Sequence, residues 1–166
     1  MKISFPKIMN SKEELDNVDR TNPYYVSASL VHVLTVYQPE NETLFYEMLQ
    51  LLMGPYQEIS PLLKQQIKDR MLQHDKYGYI GNSYFVGATP ENDYQPKIPY
   101  EVEVQENDYS KSEEGYLRLL LKSGGADHLR PVTLRLGKDG NYYLWSDSIL
   151  GLLSDIKPVE SSNPWA

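Results

Sequence analysis

Apolar residues recur with two different periods along this chain, and the change falls near Tyr77. Between residues 22 and 75 they return every three or four positions, the spacing of helices with one buried face. Asn22-Pro23 predicts the first start, because asparagine caps well and proline loses no hydrogen bond in the first turn. Val26, Leu30, Val33 and Tyr37 follow at helical steps. Pro39 ends the run by disfavouring helical geometry in the residue before it. A second helix begins near Asn41-Glu42, where Leu44, Phe45, Met48, Leu49, Leu51 and Leu52 make more than half the circumference apolar. It is expected to be the most buried helix, and Gly54-Pro55 stops it. Ser60-Pro61 opens a third, with Leu63, Ile67 and Met71 inward and Lys64, Gln65, Lys68 and Asp69 in water.

Beyond Tyr77 the period falls to two. Tyr84-Phe85-Val86 predicts a short strand, and residues 91–96 a loop. Tyr100, Val102 and Val104 alternate with Glu101, Glu103 and Gln105, as in a half-exposed antiparallel strand. Leu117, Leu119 and Leu121 repeat the pattern. In the stretch from Arg130 to Asp147, Asp139-Gly140 predicts a two-residue type I′ hairpin turn. That register sets Leu136 opposite Tyr143 and Leu134 opposite Trp145. Val132, Leu134, Leu136, Tyr143 and Trp145 would then share the core face, with Thr133, Arg135 and Tyr142 turned away. Residues 148–156 read as a last helical turn or closing segment, and Trp165 is expected to dock.

Helices followed by sequential strands with short links imply an α+β fold. The expected architecture is three N-terminal helices packed on one face of a curved, mainly antiparallel four-stranded sheet. The cone-like fold of nuclear-transport-factor-2-like proteins shares this outline. Residues 1–21 read as a polar N-terminal arm with Ile3, Phe5 and Ile8 free to dock, and residues 22–166 as one α+β domain.

With 166 residues, the chain is long enough to bury roughly 70% of its unfolded surface without staples. The absence of cysteine removes disulfides, thiolate nucleophiles and Cys-ligated zinc. No apolar run reaches the ~20 residues of a membrane helix, so no membrane partner is expected. The N-terminus lacks the apolar core of a signal peptide, which makes the cytoplasm the expected location. A net charge of −7 with scattered basic residues argues against nucleic acid. The acidic surface confers solubility and suits a basic partner. Fourteen tyrosines supply amphipathic rings of the kind used at interfaces, although half-buried strand and helix positions absorb many such residues.

The chain carries no Gly-rich phosphate loop, nucleophile elbow or His-Glu-x-x-His, so no catalytic residue, metal or cofactor is assigned. Two stretches remain as candidate ligand sites. Gly124-Gly125-Ala126-Asp127-His128-Leu129-Arg130 sets Asp127 and Arg130 beside two glycines that permit close backbone approach. This arrangement suits an anion, or else a loop in which Asp127 accepts backbone bonds and Arg130 pairs with it. The other runs from Tyr84 to Tyr94, with Tyr84 and Tyr94 as stacking surfaces and Asn92 in the polar loop between them. His32, placed among valines, reads as a satisfied or exposed histidine rather than a functional one.

Both stretches also carry a resemblance. Gly87-Ala88-Thr89-Pro90-Glu91-Asn92 with Tyr94 and Pro96 resembles a signature segment of an uncharacterised bacterial family, a domain of unknown function with members among gut Firmicutes. So does Ser123-Gly124-Gly125-Ala126-Asp127 with Arg130, Pro131, Thr133 and Leu134. The Tyr143-Leu144-Trp145 strand and the terminal Asn163-Pro164-Trp165-Ala166 fit the same pattern, over roughly residues 22–166. The resemblance implies a single-domain bacterial protein and supplies no reaction or ligand. Two functions are therefore weighed. One is a non-catalytic binding or protein-interaction module with an acidic, tyrosine-rich surface. The alternative is a small-molecule enzyme or ligand-pocket protein with its site between sheet and helices. A packed interior with a flat aromatic patch favours the first, and a deep pocket holding Tyr84, Asp127 or Arg130 favours the second.

Overall fold

A computed structural model describes residues 1–165; Ala166, the last position of the domain range above, lies outside the described residues. The elements run β1 (Lys2–Phe5), α1 (Lys12–Asp16), α2 (Pro23–Leu34), α3 (Thr43–Met53), α4 (Pro61–Leu72), β2 (Tyr100–Gln105), β3 (Tyr116–Leu121), β4 (Arg130–Leu136), β5 (Tyr142–Leu144) and α5 (Leu150–Leu153). Single 3-10 turns interrupt the connection from α4 to β2. The fold is α+β, with one curled antiparallel sheet in the order β1-β2-β3-β4-β5.

The sheet has five strands, where four were expected. The added edge is β1, which pairs Ile3 with Val102 and Phe5 with Tyr100. Two alternating apolar residues are too few to reveal a strand, and the pairing that creates it joins positions about a hundred residues apart. The expected strand at Tyr84-Phe85-Val86 is instead a 3-10 turn, Asn82–Tyr84, followed by an isolated bridge from Phe85 to Val102.

Helix α2 lies across the sheet and is the most buried helix, in place of α3. Every residue from Val26 to Leu34 is buried, whereas Leu44 and Leu51 of α3 are only half-buried. The sequence pattern misled because α2 includes Ser27, Ser29 and His32, polar positions that normally mark a wet face. Ser29 donates to Tyr25 O at 2.7 Å. The Met9 N–H donates to His32 Nδ1 at 2.9 Å, and the imidazole meets the Phe5 and Phe85 rings edge to face. Predicted caps form as drawn: Asn22 accepts from the Tyr24 N–H and Ser60 from the Leu63 N–H. Helix α3 packs on α2 and β5, while α4 rests on α5 and the 3-10 segment that follows it.

The β4–β5 hairpin departs from expectation by one residue. Leu134 pairs with Leu144, Arg135 with Tyr143 and Leu136 with Tyr142. The loop is a three-residue one, closed by Gly137 N–H donating to Asn141 O, and only Gly140 takes the left-handed conformation, at φ 85°. A one-residue slip moves every side chain to the opposite face. Leu144 therefore joins Val132 and Leu134 in the core, Leu136 is 45% exposed, and Tyr143 and Trp145 take the face of Thr133 and Arg135, where Tyr143 stays buried against Gly54.

The free edge of β5 is closed by a side chain. Gln57 Nε2 donates to Leu144 O at 2.8 Å while its Oε1 accepts the Ser146 N–H at 2.7 Å. The amide thus copies the donor and acceptor of a neighbouring strand. Tyr142 N–H completes the seal by donating to Arg20 O at 2.8 Å. Trp165, beyond the final 3-10 turn, is 92% exposed rather than docked. Among the described residues no helix is long and apolar enough to cross a membrane.

Candidate binding surface

The outward face of the sheet carries an aromatic and cationic ladder. Tyr116 pairs with Arg135 and Arg118 with Thr133 across β3 and β4, and the Trp145 N–H donates to Thr133 O just beyond β5. All alternate with core residues and so project away from the helices. The Arg135 guanidinium stands 4.9 Å from the Tyr116 ring centre and 4.7 Å from that of Trp145. The two rings meet edge to face at 5.4 Å. Each cation–π contact at such an exposed site contributes about 0.5–1 kcal/mol, enough to hold long side chains in a preferred arrangement.

A hollow opens on either side of this ladder. One, of about 490 Å³, has Met53, Tyr56, Tyr143 and Trp145 as its apolar floor and Arg135 and Lys138 as its charged wall. Tyr56 and Tyr143 form an edge-to-face pair at 6.3 Å there. The Tyr143 hydroxyl donates to the Asp139 carboxylate, which raises the phenol's pKa and lowers the acid's. The other hollow, about 600 Å³, is more polar, with Tyr109, Tyr116, Arg118, Glu113 and Asp147 around it. Tyr56 and Tyr109 are 78% and 71% exposed, a large apolar surface left in water.

The five residues singled out from sequence lie elsewhere: Tyr84 and Arg130 at α5 and its end, Tyr94 and Asp127 against Lys157 beyond it, and Asn92 in its own turn. The Tyr84 hydroxyl is buried and donates to Leu152 O at 2.6 Å. Arg130 donates to the carbonyls of Gly151, Ser154 and Asp155. Lys76 joins them, buried, with Nζ 2.8 Å from Leu153 O. A run of five carbonyls at the end of this short helix thus receives donors from distant side chains, which satisfies groups that no following turn can reach. Burial pushes the Tyr84 phenol up and the Lys76 ammonium down in pKa. Tyr94 donates to Lys157 O and stacks on Tyr79 with ring centres 5.2 Å apart. Asn92 accepts from the Thr89 and Gln95 N–H groups and donates to Gly87 O, all within its own turn. Asp127 is exposed and pairs with Lys157 at 2.9 Å, not with Arg130. The polar groups of Tyr84, Tyr94, Asn92 and Arg130 are thus taken up by the protein's own backbone.

The two glycines beside them serve close packing. A Cβ on Gly124 would lie 2.0 Å from Ala88 O, and one on Gly125 would lie 2.3 Å from the Tyr94 hydroxyl. The Gly124 N–H donates to Ser83 O at 2.8 Å. The two stretches are therefore pressed together, and the segment after α5 is tied to both. Among the described residues no group of three or more His, Asp or Glu side chains is placed to hold a metal ion.

Residues 4–160 match a protein family described as Domain of unknown function (DUF6935). The chain belongs to this family. The match starts within β1 and ends beyond α5, so the DUF6935 domain takes in nearly the whole sheet and all five helices. Comparison with curated proteins and with solved structures gives no match.

Sequence reasoning missed the surface ladder of this DUF6935 domain because the hairpin register assigned Trp145 and Tyr143 to the core. One signal was available. Leu144 sits between two large aromatics and next to no charge, and a three-residue loop ending in a left-handed glycine accommodates Gly140 as well as a type I′ turn does. The parity that buries Leu144 is the one that brings Trp145 to the face where Arg135 stands.

Proposed function

We propose that this domain is a non-catalytic binding module that engages a protein partner through the outer face of its sheet. The observation that carries this reading is the Tyr116–Arg135–Trp145 ladder, held outward and flanked by the exposed rings of Tyr56 and Tyr109. Rigid aromatics lose little conformational freedom on binding, and tyrosine, tryptophan and arginine concentrate at interface hot spots. A bacterial, cytoplasmic setting accompanies the proposal, as expected from the sequence.

The alternative, a ligand pocket inside a cone, draws less support. Val104, Leu119, Leu121, Val132 and Leu134 of the sheet and Leu30, Val33 and Leu49 of the helices are buried in one continuous core. The residues best suited to bind a ligand there, Tyr84 and Arg130, already serve backbone carbonyls.

The test is selection of a displayed random peptide library on the intact protein, followed by binding to a Tyr116→Ala/Trp145→Ala double variant. Enriched peptides should bind the parent and lose at least tenfold in affinity on the variant. Peptides that bind both equally would remove the outer face from the proposal.

A further inference from the structure

We infer that the groove beside Trp145 takes an acidic segment of its protein partner, with one apolar side chain on the aromatic floor and carboxylates on Arg135 and Lys138. The inference rests on the binding reading above and adds the chemistry of the bound segment.

Charge carries it. The whole chain has 23 acidic residues against 16 basic ones, so nine lining residues drawn at random would include about one acid. This one is lined by two cations and no carboxylate. Among the described residues neither Arg135 nor Lys138 forms an ion pair. The neighbouring acid, Asp139, is engaged by the Tyr143 hydroxyl and the Asn141 N–H, and it does not line the groove. Arg135 lies against both rings at once, 4.9 Å and 4.7 Å from their centres, and its planar guanidinium suits a carboxylate taken edge-on. Stacking also removes much of the side-chain entropy that an exposed arginine would lose on pairing. Below the cations, Met53, Tyr56 and Tyr143 offer an apolar floor of a size suited to one large side chain. The second hollow lacks this bias, since Glu113 and Asp147 there oppose Arg118. The global charge thus favours basic partners at long range, while this groove selects acidic ones at contact, within a Debye length of ~8–10 Å.

The chain has two tryptophans, so the Trp145 indole N–H is read directly in a nitrogen-15 spectrum and assigned with a Trp165→Phe variant. Three probes are titrated into the full chain: the acidic peptide acetyl-Asp-Glu-Phe-Glu-Asp-amide, its basic counterpart acetyl-Lys-Arg-Phe-Arg-Lys-amide and the neutral acetyl-Gln-Gln-Phe-Gln-Gln-amide. The acidic peptide should shift the Trp145 signal, and the other two should bind at least tenfold more weakly. Lys138→Glu and Arg135→Met should each weaken the acidic peptide at least fivefold. Lys138 is exposed and unpaired, so its variant should melt with the parent and keep the result free of folding effects.

A basic or neutral peptide binding as well as the acidic one would overturn the inference while leaving an outer-face binding surface in place. So would full binding of the acidic peptide to Lys138→Glu. A Trp145 signal unmoved by all three, or moved by protein concentration alone, would also overturn it. In that event the display selection decides the binding reading separately.

Discussion

His32 is the residue where burial has the clearest thermodynamic consequence. Fully enclosed among Phe5, Phe85 and the Met9 backbone, it is pushed from an ordinary pKa of 6.5 down to about 4 by burial, with the charge of Glu14 opposing the shift. The folded state therefore refuses a proton that the unfolded chain accepts between those two values. In that window the unfolded state binds more protons, so stability falls as pH drops from 6.5 toward 4 and is unaffected by this group at higher pH. The loss amounts to about 3 kcal/mol when complete. A His32→Asn variant keeps an acceptor near the Nδ1 position for the Met9 N–H and cannot titrate, so its urea-unfolding free energy should show a much flatter slope across the window. An unchanged slope would place the acid sensitivity elsewhere. Only part of the polarity of α2 is met inside the fold: Ser29 Oγ and His32 Nδ1 are hydrogen-bonded, whereas Ser27 Oγ and His32 Nε2 are buried without a partner.

At the scale of elements, the two edges of the sheet are managed differently. Strand β1 ends the sheet after four residues and meets Pro6, which cannot extend the ladder. Strand β5 is blocked by Gln57, whose amide bridges Leu144 and Ser146 in the manner of a sixth strand. Replacing Gln57 by Leu should cost about 1–3 kcal/mol, because three backbone groups, Met53 O, Leu144 O and Ser146 N–H, lose its side chain as a partner. The opened edge should also promote self-association, visible as concentration-dependent sedimentation. A monomeric variant with parental stability would show that the glutamine is dispensable. Helix α5 illustrates the same economy of backbone groups. It is a single turn, too short to persist alone. It is held by Tyr84, Lys76 and Arg130, which reach its carbonyls from three separate parts of the chain.

For the whole molecule, the N-terminal residues belong to the core rather than to an appendage. Ile3, Phe5 and Met9 are buried, Phe5 packs on His32, and the Met9 N–H supplies the histidine's hydrogen bond. Removing residues 1–9 uncovers β2 on its outer side and opens the helix–sheet interface. The shortened chain should lose cooperative unfolding and near-ultraviolet ellipticity while retaining much of its helix signal. A sharp thermal transition within a few degrees of the parent would contradict this.

The amino-acid order alone determined what depends on near neighbours. Helical spacing with Asn22-Pro23 and Ser60-Pro61 as starts located α2 and α4, and Gly54-Pro55 located the end of α3. Strict alternation located β2 and β3, and helices followed by strands gave the α+β class. These signals are local because caps and side-chain periods act over a few residues. Tertiary contact decided the rest. Whether Ile3 and Phe5 form a strand depends on Val102 and Tyr100, and whether Tyr84 lines a site or fastens a helix depends on Leu152. Which face of β5 is buried depends on one residue of loop length, since an apolar leucine and an aromatic pair compete for the same core with similar gain. That contest was settled by packing against α2 and α3, and it placed the Trp145 side chain on the outside, beside Arg135.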